Sequence, residues 1–589
     1  MKKILFTYLV IFGVCLVNAQ KKSPPKKAKD TIKTEVINVI TSYTPKISDA
    51  FKIKKTPTIK LDKDSKKRAL EYTIFSAPVA STFIPKSGVL KGIDLGKKER
   101  LYRNYLAGGF GSNTTPFGEL FLHYNSKFDF DIGLFAKYIS SENPIESTPL
   151  QSGFSNFEAG FFFLKEERYF DIKIQLNSEQ KKYNWYGLPN YTFTQPTINA
   201  IAEEQSYNSF NVTTEFLLHD SYIQSSSISL GIFRDLYDSS EFLIQLKPNF
   251  KFPLGRINRF LDDIHVNTKL EFLKGDFVKE YTSNTQIKYT IFTAGINPYY
   301  LLDWNDFSIK AGLKTYLSLD TENSSTNFLI YPDVHVSYPL VKDYLNVYVA
   351  ANGDLHTNTY QDLVADNPYV SPTLFITQTN EKYSFNGGFA GKLSTHTSFD
   401  FKASYKNEQD KALFLRNNSK SDGTNTNFNA TSLLGYEFGN SYKVLYDDVI
   451  TLSFFGEIEI DLSKKITVGF NGKVNSYTVS NNSTAWNLPE FEGTFFTRYK
   501  NYKWYFGLDA FIVGDRSVIN YNGANNNSFT TKKLTSYVDV NLNGGYHFSD
   551  KLSAFIKMNN ISDNKYQRFS NFNNQGFQIL GGVAYKFDF

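Results

Sequence analysis

The last thirteen residues, Phe577 to Phe589, limit the possible folds more than any other stretch of the chain. Phe577, Ile579, Val583, Tyr585, Phe587 and Phe589 fall on one face of an extended segment. Gln578, Lys586 and Asp588 fall on the other, with Leu580 the one exception. Period-two alternation of this kind suits a strand with one face in hydrocarbon and the other in a polar lumen. The pattern recurs upstream. Ile450, Leu452, Phe454, Ile458, Ile460 and Leu462 alternate with Thr451, Ser453, Glu457, Glu459 and Asp461, and after Ser463-Lys464-Lys465 the next strand repeats it with Ile466, Val468, Phe470 and Val474. Two such runs joined by so short a break predict an up-down hairpin.

The N-terminus fits an exported chain. Lys2 and Lys3 precede an apolar run from Ile4 to Val17, and Val17-Asn18-Ala19 before Gln20 has the form of a signal-peptide cleavage site. Residues 1–19 are therefore expected to be removed. The single cysteine, Cys15, lies inside that run, so the mature chain is expected to have no disulfide or thiol chemistry. No later apolar stretch approaches the ~20 residues a membrane-spanning helix needs, so insertion must be by strands. Aromatics make up 16% of the chain while the mean hydropathy is only -0.35. Aromatic girdles combined with alternating polar residues produce that pairing. Trp304 and Trp504 beside short turns, and Trp185 and Trp486 beside long loops, are expected to anchor the two interfaces. The terminal strand itself resembles the recognition signal of Gram-negative outer-membrane proteins. Tyr585, Phe587 and Phe589 would be read by the barrel assembly machinery.

Short breaks occur near Asn125–Lys127, Glu166–Arg168, His219–Ser221, Asp303–Asn305, Leu340–Asp343, Thr395–His396, Ser463–Lys465, Tyr499–Asn501 and Ser549–Lys551, with a longer one around Leu254–Asp263. Between them lie polar segments such as Glu142–Gly153, Lys181–Ser206, Thr357–Lys382, Gln409–Asp447 and Val518–Leu534. Short turns at one rim and long loops at the other predict an all-β transmembrane antiparallel barrel of about 22 strands over residues 101–589. Gln409–Asp447 reads as a single external loop, because a strand at Thr431–Phe438 would invert every later turn.

Two segments carry a family resemblance. Lys551–Phe589, with N-N-x-x-D-x-x-Y at Asn559, Asn560, Asp563 and Tyr566, resembles the last two strands of TonB-dependent receptors. Asn367–Lys406 resembles the N-P-x-x-x-P loop and following hairpin of that family. Thr34–Thr44 also looks like a TonB-box strand, with Glu35, Val36, Ile37, Asn38 and Val39 as the residues that would pair with TonB. The resemblance implies an outer-membrane transport barrel with a globular plug. Residues 20–100 are too few for such a plug and lack its glycine-rich elements, so a reduced or absent plug is expected.

The N-terminal segment differs electrically from the rest. Lys21–Arg100 holds 20 Lys and Arg against 8 Asp and Glu, while Leu101–Phe589 is net acidic. Lys21–Lys29 is a proline-lysine run expected to be extended and solvated. Beyond it, the segment reads as a solvated tail, a tether to anionic envelope partners, or a strap into an acidic lumen.

Catalytic patterns are missing from the sequence. Seven histidines are scattered without metal-ligand spacing, and there is no G-x-S-x-G or phosphate loop. Neither an enzyme nor a cofactor nor a metal site is expected, and nucleic acid is not expected as a partner. Asp354, His356 and Ser371 are merely compatible with a hydrolase triad. Asp362 with Asp366, or Asp320 with Glu322, could hold calcium, although solvated loop charge is the simpler reading. Gly108-Gly109-Phe110-Gly111 sits at the end of the first strand, with Pro116 soon after, and is expected to serve a tight turn. The leading reading is transport of a polar solute across the Gram-negative outer membrane, with contacts to membrane lipid and with TonB or another envelope protein as the candidate partner. The alternative is a structural or interaction subunit of an outer-membrane complex. Lumen-facing Glu457, Glu459, Asp461, Lys473 and Asp539 indicate a polar interior without naming a solute.

Overall fold

A computed structural model describes residues 100–126, 130–142, 145, 148–256, 263–525 and 528–588. The signal region, the N-terminal segment with Glu35–Val39, and Phe589 lie outside the described residues.

Twenty-two antiparallel strands form one sheet, and the sheet closes on itself. Asn104–Gly111 pairs with Thr115–Asn125 on one side and with the last strand, Gln578–Phe587, on the other. Closure removes the free edge that no strand in lipid can tolerate. All ten short breaks fall at the rim that also holds Asn104 and Phe587. The two-residue turn at Asn305 and Asp306 shows how they are made. Both have positive φ, 45° and 71°, the geometry that lets a tight hairpin follow the twist of its strands.

The alternation sorts the side chains as expected. Leu452, Phe454, Ile460 and Leu462 are exposed on the outer face. Inward-facing polar groups pair across the wall: Lys310 with Asp333 (2.7 Å) and Lys406 with Glu381 (2.9 Å) on neighbouring strands, and Lys314 with Asp354 (2.8 Å) across an intervening one. Trp304 and Trp504 are exposed at the short-turn rim, where interface anchors belong.

Several sequence expectations need correction. Gly108–Gly111 ends the first strand, as its sequence position implies, but it does not make the turn. The turn that follows is made by Asn113 and Thr114, both at positive φ. The glycines instead allow close approach at the closing seam, where a Cβ on Gly109 would sit 2.6 Å from the Gly581 carbonyl oxygen. Leu580 faces inward, packed with Ala107 and Phe117 against Phe555. Gln409–Asp447 is one connection, but the flanking strands Thr397–Arg416 and Tyr442–Ser463 run deep into it and only residues 417–441 form the loop. Its Asn427–Phe428 and Thr431–Ser432 pair as a small hairpin outside the barrel. The long-loop rim also holds three tight turns, at residues 112–114, 236–239 and 321–324.

Candidate functional site

At the long-loop rim the inner wall changes character. Along Ile264–Phe277 the inward positions run His265, Asn267, Lys269 and Glu271, and then Leu273 and Phe277, both fully buried. Tyr289 and Ile291 continue this apolar band on the adjacent strand, and Phe233 and Tyr207 on strands beyond Ser240–Phe252. It receives the loop between Leu345–Thr357 and Gln378–Ser394, which folds inward instead of standing in solvent. The loop begins with the helix Tyr360–Asp366, whose N-cap Thr359 accepts from the Asp362 amide at 3.0 Å. Glu241 on the wall accepts from the amides of Tyr360 (2.6 Å) and Gln361 (3.2 Å), satisfying two donors that a helix N-terminus leaves free. The Tyr360 ring is fully buried, edge-on to Phe233 and Phe277, and its hydroxyl donates to Asp235 at 2.9 Å.

Loops from around the rim interlock over this plug of residues. Trp185 Nε1 donates to Tyr369 O (3.2 Å), and the Tyr186 hydroxyl donates to Asn573 O (2.8 Å). The Tyr207 hydroxyl donates to Pro368 O (3.0 Å), Asn440 Nδ2 to Trp185 O (2.7 Å), and the Tyr442 hydroxyl to Ser570 O (3.1 Å). Tyr369 stacks on Phe572 with ring centroids 3.7 Å apart. Burial pushes the Tyr186 and Tyr360 hydroxyls well above their ordinary range, which keeps both protonated as donors. The outer mouth is therefore covered by the chain's own loops. Trp185 and Trp486, expected at a lipid interface, are buried in this cover because aromatic rings here pack loop against loop.

A second lock joins residues 278–286 to residues 417–441. Buried Glu437 accepts through Oε1 from Lys279 and Lys420 at 2.7 Å each, and through Oε2 from the Leu434 amide at 2.8 Å. Burial raises the acid's pKa, but the lysine and amide bonds outweigh it and hold the group below the usual glutamate value of 4.5. A folded-state pKa below the unfolded one stabilises the lock above about pH 4.5, and that stability is lost as pH falls through the lower folded value. Glu437→Gln should therefore loosen the cover at neutral pH, by on the order of 3 kcal/mol for a broken buried pair. Hydrogen exchange of residues 278–286 and 417–441 measures this: faster exchange at pH 7 in the variant, and less acid acceleration than in the wild type.

The other sequence candidates do not assemble. His356 Nε2 meets Glu381 at 3.3 Å, Asp354 holds Lys314 and Tyr316, and Ser371 Oγ contacts Thr373 Oγ1 at 2.7 Å. Asp362 is occupied by Thr359, and Asp320 caps its own turn through the Glu322 and Asn323 amides. Among the described residues no group of three His, Cys, Asp or Glu could hold a metal ion. The N-N-x-x-D-x-x-Y residues tie down the last loop: Asn560 donates to Asn564 O and Gln575 O, Asp563 accepts from the Phe577 amide, and Tyr566 donates to Asp539.

No protein-family model and no curated protein matches the chain in sequence. Solved structures do match in fold. The ferripyoverdine receptor of the outer membrane of Pseudomonas aeruginosa aligns over 84% of this chain and 72% of its own, at 14% identity and a TM-score of 0.59. A substituted form of the ferric enterobactin receptor PfeA from Pseudomonas aeruginosa aligns over 82% and 80%, at 10% identity and 0.59. The ferric-catecholate import receptor Fiu from E. coli K12 aligns over 83% and 82%, at 11% identity and 0.56. The fold is that of a TonB-dependent receptor barrel. A closed barrel of this receptor type, apolar outside and ion-paired inside, is built for the Gram-negative outer membrane.

Proposed function

We propose that this receptor-like barrel carries a polar solute across the outer membrane, and that its interlocked outer loops form the gate at the mouth. The observation that supports this most is the inward-folded loop of residues 358–377, seated over an ion-paired wall in a barrel with the receptor fold. Membrane lipid and the barrel assembly machinery are its expected partners, the latter reading Tyr585, Phe587 and Phe589. Uptake of labelled neutral and charged oligosaccharides by cells with and without the chain tests the reading, and equal uptake by both would remove it.

The same assay separates driven uptake from passive admission. A TonB-box strand needs its amides to pair, and proline at Val36 or Ile37 removes one. If the basic segment acts as a strap or tether, uptake is expected to survive either substitution. Reversing charges among Lys52, Lys54, Lys55, Lys60, Lys66 and Lys67 is expected to alter uptake or release an envelope partner. Loss of uptake in the proline variants, with the barrel intact, would establish TonB-driven transport instead.

A further inference from the structure

Under the loop cover lies a cation with nothing to neutralise it. Arg416, the last residue of Thr397–Arg416, is only 4% exposed, yet its side chain makes no hydrogen bond or ion pair among the described residues. Its Nε is enclosed without a partner. The electrostatic neighbours of its guanidinium are the hydroxyls of Tyr442, Tyr521 and Tyr191, with no carboxylate among them. Tyr442 lies directly across the strand pair from Arg416 and also senses Arg516. Arg516, equally buried, spends its terminal nitrogens on two carbonyls, Arg568 O at 2.6 Å and Gln567 O at 2.7 Å, and stands over the Tyr537 ring at 5.2 Å. It too lacks a carboxylate partner among the described residues.

Enclosing an ion without a counter-charge costs several kcal/mol, and several inward cations of this barrel have acidic partners. Lys269, Lys310, Lys314 and Lys406 are all paired. A guanidinium offers a planar fork of donors that matches the two oxygens of a carboxylate, sulfate or phosphate group. We propose that Arg416, with Arg516 adding to the positive field, forms an oxyanion-binding site beneath the loop cover, taking the acidic group of a solute admitted at the mouth. The Tyr191 and Tyr442 hydroxyls already donate to Ser421 O (2.7 Å) and Ser570 O (3.1 Å), which leaves the Tyr521 hydroxyl as the neutral donor for the site. This rests on the reading of the chain as a solute transporter, and it narrows the solute class to one bearing a carboxylate, sulfate or phosphate.

Thermal unfolding of the purified full chain in detergent tests the site without transport. Probes are sodium sulfate and sodium glucuronate, with glucose and with sodium chloride at matched ionic strength as controls. Sulfate or glucuronate should raise the unfolding temperature saturably, and glucose and chloride should not. Arg416→Met should unfold at a higher temperature than the wild type without anion, because an unpaired buried charge is gone, and should lose the anion response. Arg416→Lys should keep a response weakened at least tenfold in concentration. A purely structural arginine predicts the reverse, an Arg416→Met chain less stable than the wild type. That result, or an anion response shared by wild type and Arg416→Met, overturns the site. If Arg416→Met folds too poorly to purify, an anion response retained in Arg416→Lys at wild-type concentration overturns it as well. Anion binding in a chain whose cells show no uptake would leave the site standing and remove the transport reading alone.

Discussion

Gly109→Val, or Tyr585→Lys together with Phe587→Lys, is expected to leave no assembled barrel in the outer membrane. The two changes strike the same seam differently. On Gly109 a side chain would press against the backbone of Gly581 and Gly582, which cannot give way as a flexible side chain can. Without that approach the register Gly109↔Gly582 and Gly111↔Leu580 is lost, and with it the closure of the sheet. Tyr585 and Phe587 stand on the outer face of the last strand with their rings stacked at 6.0 Å. Lysine at a site near the interface costs about 0–1 kcal/mol, too little to unfold a barrel. The predicted failure is therefore one of recognition during assembly. Gly118→Ala is the control, since a Cβ there meets nothing within 4 Å. Heat-modifiable migration of outer-membrane fractions decides the matter: Gly118→Ala should shift like the wild type, and the seam variants should not appear. A Gly109→Val barrel that assembles normally would mean that the seam tolerates a wider backbone spacing.

The barrel was legible because its physics repeats. A strand in lipid shows the same dyad twenty-two times, and its short turns carry residues such as Asn305 and Asp306 that tolerate positive φ. Parity then fixed which connections share a rim. The mouth was less legible, because loop packing has no period. Trp185 in isolation is indistinguishable from a girdle tryptophan; only contact with Tyr436 and Tyr369, far away in sequence, makes it part of a core. One signal was nonetheless available. Leu273 and Phe277 break the polar-inward rule at the outer end of their strand, as Tyr289 and Ile291 do on the next. Apolar residues at inward positions near a rim imply that something folds in to cover them. Arg416 and Glu437 carried no such mark, since their roles depend on which loops meet around them.

Removing the inward loop should have the second large effect. Replacing residues 358–377 by a short Gly-Ser turn is geometrically simple, because Thr357 and Gln378 are already paired across the strands it would join. The deletion takes away Tyr360, Leu363, Val364, Val370, Leu374 and Ile376 from the cluster that the other loops close upon. It also frees Trp185, Tyr207 and Tyr442, which are bonded to or packed against this loop. Buried side chains of this size each contribute about 1.5–3 kcal/mol when covered, so the remaining loops should no longer hold over the mouth. The barrel wall, with its own ladder of strand pairs, should still assemble.

Single-channel conductance in a planar bilayer tests this account most directly, with the full chain compared against chains lacking residues 20–99, residues 358–377, or both. If the chain's own loops shut the outer mouth, removal of residues 20–99 alone leaves the barrel closed, and removal of both segments gives a large, steady conductance. A steady open pore from the chain lacking only residues 20–99, or no conductance from the double deletion, would contradict it.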